Sequence, residues 1–160
     1  MKYIIVFMIL IMVVGMTHGQ NECSSISRAG IHLGDEFILS GSDDSRCVYI
    51  IEREGLTLVS SFGERTVSDG ELNSTSSNII IDLSNKLPNF ILLEDGLNSV
   101  YIAGKRFVSC KCSFDNGGVK VESKLYFSSL EGSLLMLNFS YPGQNNTRCV
   151  EIINTIMSIN

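Results

Sequence analysis

The sequence predicts an all-β fold, antiparallel strands packed as a sandwich and pinned by disulfides. Three observations predict it. Short apolar stretches alternate in and out along most of the chain, glycine-bearing turn signals separate them at regular intervals, and five cysteines follow a segment with the composition of an export leader.

The leader comes first. Met1-Lys2-Tyr3 is a short basic start, Ile4 to Val14 is an unbroken apolar run, and Thr17-His18-Gly19 sets small residues three and one before a cut. This is the pattern of a secretory signal peptide over residues 1–19. A membrane-spanning helix needs about twenty apolar residues, so this run is too short for a permanent anchor and no membrane insertion is expected. Residues 20–160 are expected to form one secreted domain, large enough for a single core.

The strand runs are 36–40, 47–53, 56–62, 78–83, 90–93, 100–103, 106–114, 119–127 and 134–141. Between them stand Glu54-Gly55, Asp69-Gly70, Asp95-Gly96, Ala103-Gly104, Asn116-Gly117-Gly118, Glu131-Gly132 and Pro142-Gly143. Glycine takes positive φ without penalty, which tight hairpins require, and Asn-Gly is the strongest of these signals. Alternation points one set of side chains inward: Phe37 and Leu39; Cys47, Tyr49 and Ile51; Ile79, Ile81 and Leu83; Val108, Cys110, Cys112 and Phe114; Val119, Val121, Leu125 and Phe127. Strands with one apolar face bury it against a second sheet, or close on themselves as a barrel. In 149–160, Ile152, Ile153, Ile156 and Met157 suit a helix while the β-branched content suits a strand; either packs as a closing element.

Export makes disulfides the default for Cys23, Cys47, Cys110, Cys112 and Cys149. Five is odd, so at most two internal bridges form and one thiol is spare, either buried or free to make a disulfide-linked dimer. A bridge from Cys47 to Cys110 is one pairing consistent with the pattern. Three Asn-x-Ser/Thr sequons, at Asn73, Asn138 and Asn145, are glycosylation candidates in an exported chain. Strict alternation over 134–141 sends Asn138 to the face opposite Leu135, Leu137, Phe139 and Tyr141, and so toward solvent.

Several chemistries are expected to be absent. The chain carries 17 Asp and Glu against 12 Lys and Arg, with no basic cluster, which disfavours nucleic acid as a partner. Beyond the leader the one histidine is His32, so an imidazole-based triad or base has little to build on. No Gly-x-Ser-x-Gly elbow or glycine-rich phosphate loop is present. Asp35-Glu36, Asp43-Asp44 and Asp115-Asn116-Gly117 read as solvated turns rather than glycosidase or calcium sites. Cys110-Lys111-Cys112 lacks nearby Cys or His ligands, so no metal site and no cofactor are expected, and the protein is read as a non-enzyme.

The runs Gly34-Asp35-Glu36-Phe37-Ile38-Leu39, Cys47-Val48-Tyr49-Ile50, Asn78-Ile79-Ile80-Ile81-Asp82-Leu83, Arg106 to Cys112 and Lys120 to Leu125 resemble the strand order of an immunoglobulin-like domain. Gly41 stands in the slot of that family's first core cysteine, Tyr49 or Ile50 in that of its tryptophan, and Cys110 or Cys112 in that of its second cysteine. Phe107-Val108-Ser109-Cys110-Lys111-Cys112 also resembles the Phe-x-Cys-x-Cys signature of the six-cysteine domains of apicomplexan surface antigens, one residue out of register.

Both resemblances imply a β-sandwich that binds proteins, the first including secreted viral decoys for host cytokines. The expected function is therefore a secreted, non-catalytic glycoprotein that binds an extracellular protein ligand or receptor through loops, with 63–77, 86–89 and 115–118 as candidates. The alternatives are a surface-coat or adhesion antigen held on a partner, and a lipocalin-like carrier of a small apolar ligand. The second alternative lacks that group's customary tryptophan, since the chain has none.

Overall fold

The computed structural model describes residues 23–144 and 146–158, and of residues 64 and 65 the backbone alone. In chain order the elements are α1 (Ser24–Ala29), β1 (Ile38–Ser42), β2 (Arg46–Ile51), β3 (Leu56–Thr66), α2 (Leu72–Lys86), β4 (Ile91–Leu92), β5 (Asn98–Ile102), β6 (Lys105–Asn116), β7 (Val119–Leu130), β8 (Ser133–Pro142) and α3 (Thr147–Met157). The strands form one antiparallel sheet in the order β1-β2-β3-β8-β7-β6-β4, with β5 pairing β6 along the stretch that β4 leaves free.

Every predicted strand run except 78–83 is a strand. Glycine places the hairpins. Asn116 pairs with Val119 across Gly117 and Gly118, whose φ values are 57° and 82°, and this doubly left-handed two-residue loop matches the twist of β6 and β7. The same device closes β5 to β6 at Ala103-Gly104 and β7 to β8 at Glu131-Gly132.

Helices rather than a second sheet cover the faces. On one face Leu56 and Leu58 of β3, Leu135, Leu137, Phe139 and Tyr141 of β8, and Phe107 and Tyr126 pack against Ile26 and Ala29 of α1 and Ile152, Ile153, Ile156 and Met157 of α3. On the other face Val108, Cys110, Cys112, Leu125, Phe127 and Leu134 pack against Leu72, Ile79, Ile80 and Leu83 of α2. The expected immunoglobulin-like sandwich is thus corrected to a single sheet between helical layers. An apolar strand face needs burial but does not specify whether a strand or a helix supplies it. A closed lipocalin-like barrel is ruled out as well, because β1 and β4 each pair on one side only among the described residues.

The run 78–83 lies inside α2. Its three isoleucines suit a strand, but Leu72, Ile79, Ile80 and Leu83 form one helical stripe, and Ile81, expected inside, is 56% exposed. The helix start is marked by Ser68-x-x-Glu71: the Glu71 carboxylate accepts hydrogen bonds from the Ser68 amide at 3.1 Å and hydroxyl at 2.7 Å, half of a capping box. The stop is Leu87, extended at ψ 129° because Pro88 follows. The closing segment is helical, with Cys149, Ile152, Ile153, Ile156 and Met157 buried at helical spacing.

Candidate docking edge and neighbouring polar cluster

The sheet ends at β4, a strand of two residues. Asn89 Nδ2 donates to Asp115 Oδ2 at 2.6 Å and the Asp115 amide to the Pro88 carbonyl at 2.9 Å, tying the start of β4 to the end of β6. Ile91 then stands opposite Ser113 and Leu92 opposite Cys112, and the Leu93 amide donates to the Lys111 carbonyl at 2.8 Å. Asp95-Gly96, with Gly96 at φ 110°, turns the chain away before more pairing forms. The outcome is three consecutive large apolar residues left on the surface: Ile91 at 53%, Leu92 at 37% and Leu93 at 41% exposed. Farther along the same side of β6, Tyr101 is 69% exposed.

Beside this edge, on the face under α3, lies a polar cluster. Lys111 and Lys124 stand directly opposite each other on β6 and β7, a repulsive arrangement that each resolves with its own carboxylate. Lys111 Nζ is 2.7 Å from Glu122 Oε2, and Lys124 Nζ is 2.7 Å from Glu94 Oε1. Asn146 Nδ2 donates to Glu122 Oε2 at 3.0 Å, and Asn98 Nδ2 to Glu94 Oε2 at 3.1 Å. Burial, the charge of Glu122 and a hydrogen bond to it push the Tyr141 phenol up, and burial with the charge of Glu94 pushes Tyr126 up to about 12. Both tyrosines therefore remain hydrogen-bond donors near neutral pH.

A half-open pocket of about 70 Å³ is lined by Lys111, Lys124, Tyr141, Val150, Ile153 and Asn154. At roughly 30 Å³ per water molecule it has room for about two waters. The two lysines are matched by Glu122 and Glu94, so the cluster ties the β4–β5 connection and the α3 face to the middle of the sheet.

The five cysteines divide differently from the expectation. One bridge forms, Cys23 to Cys47, fastening the start of α1 to β2. Cys110, Cys112 and Cys149 are buried thiols, so three cysteines rather than one are unpaired and none is presented to a second chain. The Cys47–Cys110 pairing is corrected because the two lie in cores on opposite faces of the sheet. Burial raises Cys110 and Cys112 to about 12 and about 11, and raises Cys149, which donates to the Glu54 carbonyl at 3.5 Å.

Other expected positions fall as follows. His32 is exposed between α1 and β1. Asp43 caps a turn, its Oδ1 accepting from the Ser45 amide at 2.9 Å, the Ser45 hydroxyl at 3.1 Å and the Arg46 amide at 2.7 Å, which together hold its pKa down. Of the candidate loops, 63–77 contains the end of β3 and the start of α2, and 115–118 is the β6–β7 hairpin. The sequence predicts a strand at this apolar edge and no exposed surface; the Pro-Asn before it and the Asp-Gly soon after are the signal that it is too short to be enclosed. Asn73 is exposed in the first turn of α2. Asn138 is half-buried on central strand β8, not directed freely to solvent, because α2 and its neighbours cover part of that face. Asn145 and the leader 1–19 lie outside the described residues.

No family model matches the chain, and no curated protein matches it. Solved structures do. LpqN, involved in cell envelope biogenesis of Mycobacterium tuberculosis, has 16% identity and a TM-score of 0.57 over 80% of this chain and 79% of its own. The cyanobacterial PsbP, CyanoP, of Synechocystis sp. PCC 6803 has 14% identity and a TM-score of 0.57 over 91% and 96%. The Saccharomyces cerevisiae Ran-binding protein Mog1p has 12% identity and a TM-score of 0.53 over 76% and 75%. These neighbours overturn the resemblances to immunoglobulin-like decoys and to apicomplexan surface antigens. At such identities the likeness is one of architecture: this chain is folded like LpqN, CyanoP and Mog1p.

Proposed function

We propose that the protein is an exported, non-catalytic binding module that captures another extracellular protein along its β4 edge. The observation that carries this reading is the exposure of Ile91, Leu92 and Leu93 on a strand whose outer backbone is unpaired among the described residues. Such an edge offers main-chain hydrogen bonds to an extended segment of a partner, and alternating apolar side chains to grip it. The occupant is thus an extended apolar segment of a second protein. Mog1p, of the same architecture, is a Ran-binding protein, which supports protein binding as a use of the fold.

The test is a screen of the purified protein against extracellular domains, repeated with Ile91→Lys/Leu93→Lys. Both side chains are over a third exposed, so the variant folds, and its melting curve checks this. Loss of at least tenfold in affinity for the hit supports the edge; unchanged affinity rejects it. Self-association abolished by the same substitutions would identify the partner as a second copy instead.

A further inference from the structure

The three sequons are unequal in the fold. Asn73, in the first turn of α2, is exposed, and its side-chain oxygen accepts a hydrogen bond from Arg106 Nη2 at 2.9 Å. The other guanidinium nitrogen, Nη1, donates to the Asp69 carbonyl at 3.0 Å, so Arg106 is fixed from two sides at the helix start. A guanidinium has donors only, so the atom facing it must be Oδ1, and Nδ2 is left with no protein partner among the described contacts. Asn138 is the opposite case. It sits half-buried in the middle of the sheet, in register with Val59 and Leu125, and its Oδ1 accepts from the Ser140 hydroxyl at 2.9 Å. Ser140 is 4% exposed and shares a 2.6 Å hydrogen bond with buried Ser123. A sugar rooted at Asn138 would have to displace this packing.

We propose that Asn73 carries an N-linked glycan and that Asn138 does not. The inference rests on the reading that the chain is exported. In the transfer, Asn73 Nδ2 bonds to the anomeric carbon of a lipid-pyrophosphate-linked oligosaccharide; the carbon–oxygen bond to pyrophosphate breaks, the lipid pyrophosphate leaves with that electron pair, and Nδ2 gives up one proton. The amide oxygen is untouched, so the bond from Arg106 survives modification and holds the root of the glycan against the sheet. Transfer precedes folding, so the fold decides which glycan is tolerated and which remains accessible afterwards.

The experiment is expression of the full chain in a eukaryotic secretory line, followed by peptide N-glycosidase digestion of the secreted protein in heavy-oxygen water and peptide mass spectrometry. The expected result is labelled aspartate at position 73, none at 138, release of the Asn73 glycan from the undenatured protein, and loss of one glycan's mass in Asn73→Gln. Secreted protein with position 73 unlabelled, or with position 138 labelled, overturns the proposal. The same mapping with a leader from another secreted protein separates the two readings. A glycan at Asn73 only with the foreign leader supports the site and rejects export by residues 1–19; none with either leader rejects the site.

Discussion

Glu122 serves three neighbours at once: the Lys111 ammonium, the Asn146 amide and the Tyr141 phenol. Its side chain is 14% exposed and that of Lys111 29%, so the pair works in a medium less screening than water. Glu122→Gln leaves Lys111 charged with a weaker acceptor, and is expected to lower unfolding free energy in urea by about 1–2 kcal/mol. The Arg28–Glu131 pair, 55% and 73% exposed, is expected to contribute far less. The buried thiols set a pH dependence. In the unfolded chain a thiol ionises near its ordinary value of 9.0, while in the fold Cys112 holds its proton to about 11 and Cys110 to about 12. Below pH 9 both states are protonated and contribute no slope. Above it the unfolded chain binds fewer protons, so stability falls as pH rises until the folded thiols ionise in turn. Thermal melts between about pH 8 and about pH 10.5 are expected to show a falling Tm, with a shallower fall in Cys110→Ala/Cys112→Ala.

At the scale of elements, the hairpins were legible and α2 was not. Ala103-Gly104, Asn116-Gly117-Gly118 and Glu131-Gly132 announce their turns because positive φ excludes most side chains, a constraint written into the residue itself. Asn78 to Leu83 misleads because isoleucine runs suit strands locally, while the helix depends on Leu72 and the Ser68–Glu71 contact lying outside that window. Leu72, fully buried, is the stripe's anchor on the sheet. Leu72→Ala is expected to cost about 2–4 kcal/mol by cavity formation. Because α2 covers Cys110 and Cys112, the same variant should raise their rate of alkylation by N-ethylmaleimide under native conditions, measured by intact mass; unchanged rates would show that α2 does not guard them.

For the whole molecule, the sequence conveys a strand-rich domain but not the number of sheets. One-sided strands are satisfied equally by helices, and no local signal in β6 or β7 reveals that both of their faces are covered. The apolar edge is hidden for a related reason: exposure of Ile91 to Leu93 follows from the sheet ending there, a property of topology rather than of residues. The Cys23–Cys47 bridge spans a sequence separation of 24, for which the chain-entropy model gives about 3.5 kcal/mol. Cys23→Ala/Cys47→Ala is expected to lower stability by about that amount in denaturant titration.

That bridge and the Cys110–Cys112 thiols are divided by the hydrogen-bonded backbone of the sheet itself. Disulfide interchange requires a thiolate to reach a sulfur in line, and a continuous wall of peptide groups forbids the approach. Reshuffling between these two sets of sulfurs must therefore wait for the chain to come apart, and Cys149, in the same core as the bridge, is the thiol left on the bridge's own side of the sheet.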